Sequence, residues 1–78
     1  MLYTTVEQLY SDVEKLAQNP GRLAEPAMLE LFNANLAEAK KQYSSNAILA
    51  AIQEASGEVK FGDLLVRIGQ LKAVLIDE

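Results

Sequence analysis

The segment that decides the fold is residues 63–78, with the sequence DLLVRIGQLKAVLIDE. Its apolar residues recur every three or four positions, which is the period of an α-helix. One apolar stripe is formed by Leu64, Ile68, Leu71 and Leu75. A second stripe, on roughly the opposite side and here called the outer stripe, consists of Val66, Gly69, Ala73 and Ile76. The helix is therefore predicted either to be packed on two sides or to offer a contact surface to another chain.

Two longer segments with a helical period precede it. The first is predicted to start at a capping box on Thr4 or Thr5 and to end at Asn19-Pro20-Gly21, because proline lacks the amide hydrogen that a helix needs. Its apolar side consists of Val6, Leu9, Tyr10, Val13, Leu16 and Ala17. The second is predicted to open at Pro26, since proline is well tolerated in a first helical turn. Its apolar stripe consists of Met28, Phe32, Leu36, Ala39 and Tyr43.

A third, shorter helix is predicted between an N-cap at Ser45 and a stop at Gly57. Its buried side is expected to consist of Ile48, Leu49, Ile52 and Ala55. Val59 and Phe61 follow, and we expect them to close the end of the core. Asp63 is predicted to cap the last helix and to pair with Arg67.

These segments predict an all-α protein, an antiparallel four-helix bundle with short loops, in which residues 1–78 form a single helical domain. The 78 residues include neither Cys nor His, which excludes disulfides, histidine or cysteine zinc sites, thiol nucleophiles and imidazole bases. Seven basic and 11 acidic residues give a net charge of −4, which argues against a nucleic-acid partner. The acidic residues are scattered over predicted polar faces and caps, so we expect no enzyme, no metal and no cofactor.

The start of the chain has neither the basic region nor the apolar run of a signal peptide, and no stretch is long enough to span a membrane. A cytoplasmic protein that works by contact with another protein is therefore expected. The outer stripe, Val66, Gly69, Ala73 and Ile76, is the predicted partner-binding surface. Self-association through it is an alternative, because a core this small is marginally stable.

The chain resembles the enterocin A-type immunity proteins of class IIa bacteriocin producers. The likeness is carried by residues 8–13 (QLYSDV), by residues 36–43 (LAEAKKQY), and by the order of apolar residues from Ile48 to Leu71. This resemblance implies a cytosolic four-helix bundle that protects the producing cell from its own antimicrobial peptide. Members of the family are thought to act from inside the cell on the membrane-embedded receptor–bacteriocin complex, which also allows contact with the membrane surface.

In that family the C-terminal half governs which bacteriocin is recognised, and in this chain that half contains the outer stripe. A second likeness points to a structural assembly. Residues 14–20, 25–29 and 36–38 are similar to the turn of type III secretion needle subunits, and residues 56–60 are similar to a C-terminal element of theirs. The alternative function is therefore a self-assembling or adaptor helical module.

Overall fold

A computed structural model of the chain describes residues 2–19 and 21–77. It contains four helices: α1 (Leu2–Leu16), α2 (Pro26–Gln42), α3 (Ala47–Ala51) and α4 (Phe61–Asp77). The described residues include no β-strand, apart from one isolated bridge between Leu23 and Lys60. The prediction of an all-α bundle of four helices is confirmed.

The bridge between Leu23 and Lys60 fixes the directions of the long helices. It is supported by two backbone hydrogen bonds, from Ala24 N to Val59 O at 2.7 Å and from Phe61 N to Arg22 O at 2.8 Å. Leu23 lies in the loop before α2, and Lys60 lies in the segment before α4. The bridge between them therefore places the starts of both helices at the same end of the molecule. α1 ends shortly before the first loop, so it runs in the opposite direction and packs mainly against α4.

The core is a single apolar cluster, and it contains no polar or charged side chain among the described residues. Its members are Val6, Leu9, Val13, Ala24, Leu29, Phe32, Leu36, Ala39, Leu49, Ile52, Ala55, Val59, Phe61, Leu64, Ile68, Leu71, Val74 and Leu75. The stripe of Leu64, Ile68, Leu71 and Leu75, here called the inner stripe of α4, is buried as predicted. Val59 and Phe61 fill the core at the start of that helix. Val74 is also buried, although it belongs to neither predicted stripe.

Several predicted boundaries are wrong by a few residues. α1 already includes Leu2, so Thr4 and Thr5 lie inside the helix and are not N-caps. α4 begins at Phe61, which places Asp63 in its first turn. The N-cap of α3 is Asn46 and not Ser45, since the Asn46 side chain accepts a hydrogen bond from Leu49 N at 2.9 Å. Pro20, predicted to end the first helix, lies outside the described residues.

The third helix differs most from its prediction. It spans five residues, and the irregular segment 52–60 then returns along α2 to the start of α4. Because the helix stops at Ala51, Ile52 and Ala55 reach the core from this segment, whereas Ile48 is exposed. Gly57 adopts a left-handed φ of 70° within the returning segment, so it forms a turn well beyond the end of α3.

Candidate functional site

The outer stripe lies on the solvent side of α4. Val66 and Ile76 are 60% and 64% exposed, and Ala73 is exposed between them. Gly69 is half-buried, because a Cβ atom built on it would lie 3.4 Å from Cε2 of Tyr10 on α1. Three of the four predicted residues thus form an apolar surface open to solvent, and the fourth lies where the surface meets α1.

Ile48, which the sequence placed in the core, extends this surface. It is 70% exposed and forms one wall of a groove between α3 and α4. The α3–α4 groove has a volume of about 270 Å³ and is lined by Asn46, Ile48, Gln70, Ala73, Val74 and Asp77. Ala73 therefore belongs both to the outer stripe and to the groove, so an apolar side chain of a partner could contact Ile48 and Ala73 together.

Polar residues follow one edge of the outer stripe. Asp63, Gln70 and Asp77 are spaced by seven residues and are all exposed. At about 100° per residue, each lies within about 60° of Val66 around the helix axis. The two charged members of this row are both carboxylates.

The two cationic side chains of α4 are both engaged away from this row. Arg67 donates from Nη1 to the backbone oxygen of Glu54 at 2.9 Å and to that of Gln53 at 3.4 Å. Lys72 lies with its Nζ atom 4.8 Å from the centroid of the Tyr10 ring, a cation–π contact on the side facing α1. The predicted role of Arg67 as a partner of Asp63 is thus replaced by contacts with the segment that follows α3.

Asn33 on α2 positions that segment through two hydrogen bonds. Its Nδ2 donates to Ala55 O at 2.7 Å, and Ala55 N donates to Asn33 Oδ1 at 2.8 Å. The amide group thereby satisfies both backbone groups of a buried residue in a segment that has no regular structure of its own. Sequence reasoning missed Asn33, because an asparagine within a helical period gives no sign of a partner 22 residues away.

A larger open depression, of about 470 Å³, lies between α1 and α2. Three of its polar side chains are engaged with their own helices: Gln8 donates to Asp12 at 3.0 Å, and Asn35 donates to Leu31 O at 2.8 Å. Leu31 is 50% exposed there, but no neighbouring exposed apolar residue of comparable size lines the depression. It therefore lacks the pair of large exposed apolar residues, Val66 and Ile76, that the outer stripe has.

The titratable groups of the described residues contain no candidate metal site. The pKa of Tyr3 is raised, chiefly because its hydroxyl donates a hydrogen bond to the Glu7 carboxylate at 3.0 Å on the exposed side of α1. No three acidic residues among positions 2–19 and 21–77 are grouped closely enough to hold a metal ion. None of the described helices is long and apolar enough to cross a membrane.

Comparison with known proteins adds no constraint on function. No family model, no curated protein and no solved structure matches the chain. The candidate site therefore depends on the geometry of α4 and its neighbours.

Proposed function

We propose that the protein acts by binding another protein, without catalysis, through the outer stripe of α4 and the adjoining Ile48. The observation that carries this proposal is the exposure of Val66 and Ile76, 60% and 64%, on a helix whose other side forms the core. Full burial of a large aliphatic side chain would stabilise the protein by about 1.5–3 kcal/mol, and an exposed one does not contribute this free energy. A partner that covers Val66 and Ile76 would recover part of this free energy.

The biological role that we propose is immunity to a class IIa bacteriocin, with the protein acting in the cytoplasm on the receptor–bacteriocin complex. The resemblance to enterocin A-type immunity proteins supports it, and so does the helical architecture. The outer stripe also lies in the C-terminal half, which governs recognition in that family. In this proposal the stripe is the surface that contacts the complex.

The proposal is tested by expressing the protein in a strain sensitive to class IIa bacteriocins. We expect tolerance to one such peptide to rise while growth without the peptide stays unchanged. Val66→Glu and Ile76→Glu should each abolish most of the protection, because a charge within an apolar contact costs about 2 kcal/mol or more, which is about thirtyfold in affinity.

Leu31→Glu is the matched control, since it places the same charge at an exposed leucine of α2 away from the stripe. It should protect as well as the wild type. Absence of protection by the wild type against every class IIa peptide tested would overturn the immunity role. Equal loss in all three variants would remove the outer stripe from the mechanism.

The alternative of a self-assembling module uses the same surface. Ala73 is small and exposed, so a helix from a second copy could approach α4 closely there, whereas Gly69 is partly covered by Tyr10. The oligomeric state of the purified protein distinguishes the two.

A further inference from the structure

The charge along the outer stripe indicates what kind of partner fits it. Asp63 and Asp77 lie about 21 Å apart along the same edge, given the rise of about 1.5 Å per residue. Asp77 is the last residue of α4, where the helix dipole already contributes a partial negative charge and where the last turn has no basic residue. The C-terminal end of the stripe is therefore electronegative for two independent reasons.

The α3–α4 groove, next to the outer stripe, could accommodate an apolar side chain of the partner. The α3–α4 groove places Ile48 and Ala73 beside Asp77, so an apolar group and a carboxylate are available next to each other. The cations that could neutralise this edge from within α4, Arg67 and Lys72, are held by the backbone of residues 53 and 54 and by the Tyr10 ring. Basic residues of a partner would complement the exposed carboxylates of Asp63 and Asp77.

We propose that the occupant of this surface is a basic amphipathic helical segment of the partner. Its apolar residues would cover Val66, Ala73 and Ile76, and its Lys or Arg residues would face Asp63 and Asp77. The inference rests on the proposed function, because a receptor embedded in the membrane exposes an excess of Lys and Arg on its cytoplasmic loops.

Two other occupants fit the charge less well. If two copies packed antiparallel through the outer stripe about a twofold axis, the carboxylate row of one copy would lie beside that of the other. A negatively charged lipid surface would be repelled by the same carboxylates and by a net charge of −4.

The test uses a synthetic fluorescein-labelled helix of about 18 residues, long enough at about 27 Å to reach both carboxylates, with Leu at helical spacing and Lys elsewhere. A Leu/Glu peptide with the same pattern is its control. We expect the Leu/Lys peptide to bind in fluorescence anisotropy, the Leu/Glu peptide to bind at least about tenfold more weakly, and added salt to weaken the first.

The site of the charge effect is tested with two double variants that change the net charge equally. Asp63→Asn with Asp77→Asn should weaken binding of the Leu/Lys peptide about threefold to tenfold. Asp12→Asn with Glu30→Gln, on the exposed sides of α1 and α2, should leave it unchanged. Circular dichroism melting verifies that both double variants stay folded.

Amide chemical-shift mapping with the Leu/Lys peptide separates the inference from the proposed function. Shifts at Ile48, Val66, Ala73 and Ile76 together with a selective effect of the Asp63 and Asp77 variant support a basic partner. The basic-partner inference would be overturned if the two double variants weakened peptide binding equally, or if the Leu/Glu peptide bound as tightly as the Leu/Lys peptide. This holds even if the strain assay shows protection. Absence of protection with selective peptide binding would overturn the immunity role and leave the basic-partner inference standing.

Discussion

Asn33 on α2 helps to fix the position of the α3–α4 connection. Both of its amide atoms bond the backbone of Ala55, a buried residue, and Arg67 bonds the adjacent carbonyl of Glu54. This connection joins α3, which carries Ile48, to α4. Asn33 therefore helps to set the distance between Ile48 and α4. Its role is structural and lies outside the proposed contact surface.

Asn33→Ala should lower the free energy of unfolding by about 1–3 kcal/mol, because it leaves the backbone N–H and C=O of a buried residue without partners. Urea unfolding followed by circular dichroism measures this change. Asn35→Ala is the control on the same helix, where a single bond to Leu31 O is lost and helix propensity improves. A loss in Asn35→Ala as large as in Asn33→Ala would contradict the assigned role of the Asn33 amide.

At the residue scale the sequence predicted most of the buried apolar positions, with Leu16 and Ile48 as exposed exceptions, and predicted polar partners poorly. The inner stripe residues of α4 are buried where the period placed them, because burial follows directly from helical spacing. The Asn33–Ala55 pair joins residues that no local rule connects. Arg67 likewise donates to the backbone oxygens of residues 53 and 54 and not to the carboxylate of Asp63. These carbonyl oxygens are available because the segment is irregular, whereas in a helix they would accept hydrogen bonds from the helix backbone.

At the scale of secondary structure elements, two glycines test the backbone conformation, one inside a helix and one outside. Gly69→Ala should raise the free energy of unfolding by about 0.5–1 kcal/mol, because alanine is the better helix former. The added Cβ would make an ordinary contact of 3.4 Å with Tyr10. Thermal and urea unfolding measure the change.

Gly57→Ala is the matched control with the opposite sign. No atom lies within 4 Å of a Cβ built at Gly57, but its φ of 70° is left-handed, which costs an L-residue about 1–2 kcal/mol. We therefore expect the Gly57 variant to be destabilised by about that amount. Destabilisation by Gly69→Ala would show that α1 and α4 have no room for a methyl group between them.

The long helices were predictable and the short one was not. α1, α2 and α4 each present several apolar residues at a period of 3.6, and their existence follows from that repetition. The spacing of Ile48, Leu49 and Ile52 fits one side of a longer helix, but α3 has only five residues and ends before Ile52. The exposure of Ile48, which matters for the candidate site, reflects which side of α3 faces the core, and the period alone did not show it.

At the scale of the whole molecule, the distribution of charge favours a monomer. The row from Asp63 to Asp77 would meet its own copy in an antiparallel α4–α4 pair, and the net charge of −4 adds general repulsion between copies. Sedimentation analysis should give the mass of one chain for the wild type and for Ala73→Glu alike. A wild-type dimer that Ala73→Glu dissociates would instead support the self-assembling module and assign the outer stripe to self-contact.

The packing of α1 chiefly against α4 has a consequence for how the chain acquires its structure. The two helices are the most distant in sequence, so their contacts close the longest loop that the protein forms. A nascent chain emerging from the ribosome therefore holds Val6, Leu9 and Val13 without their main partner until α4 has been made. The helix that completes this core also carries the proposed contact surface, so a chain truncated before α4 would lack both part of its core and that surface.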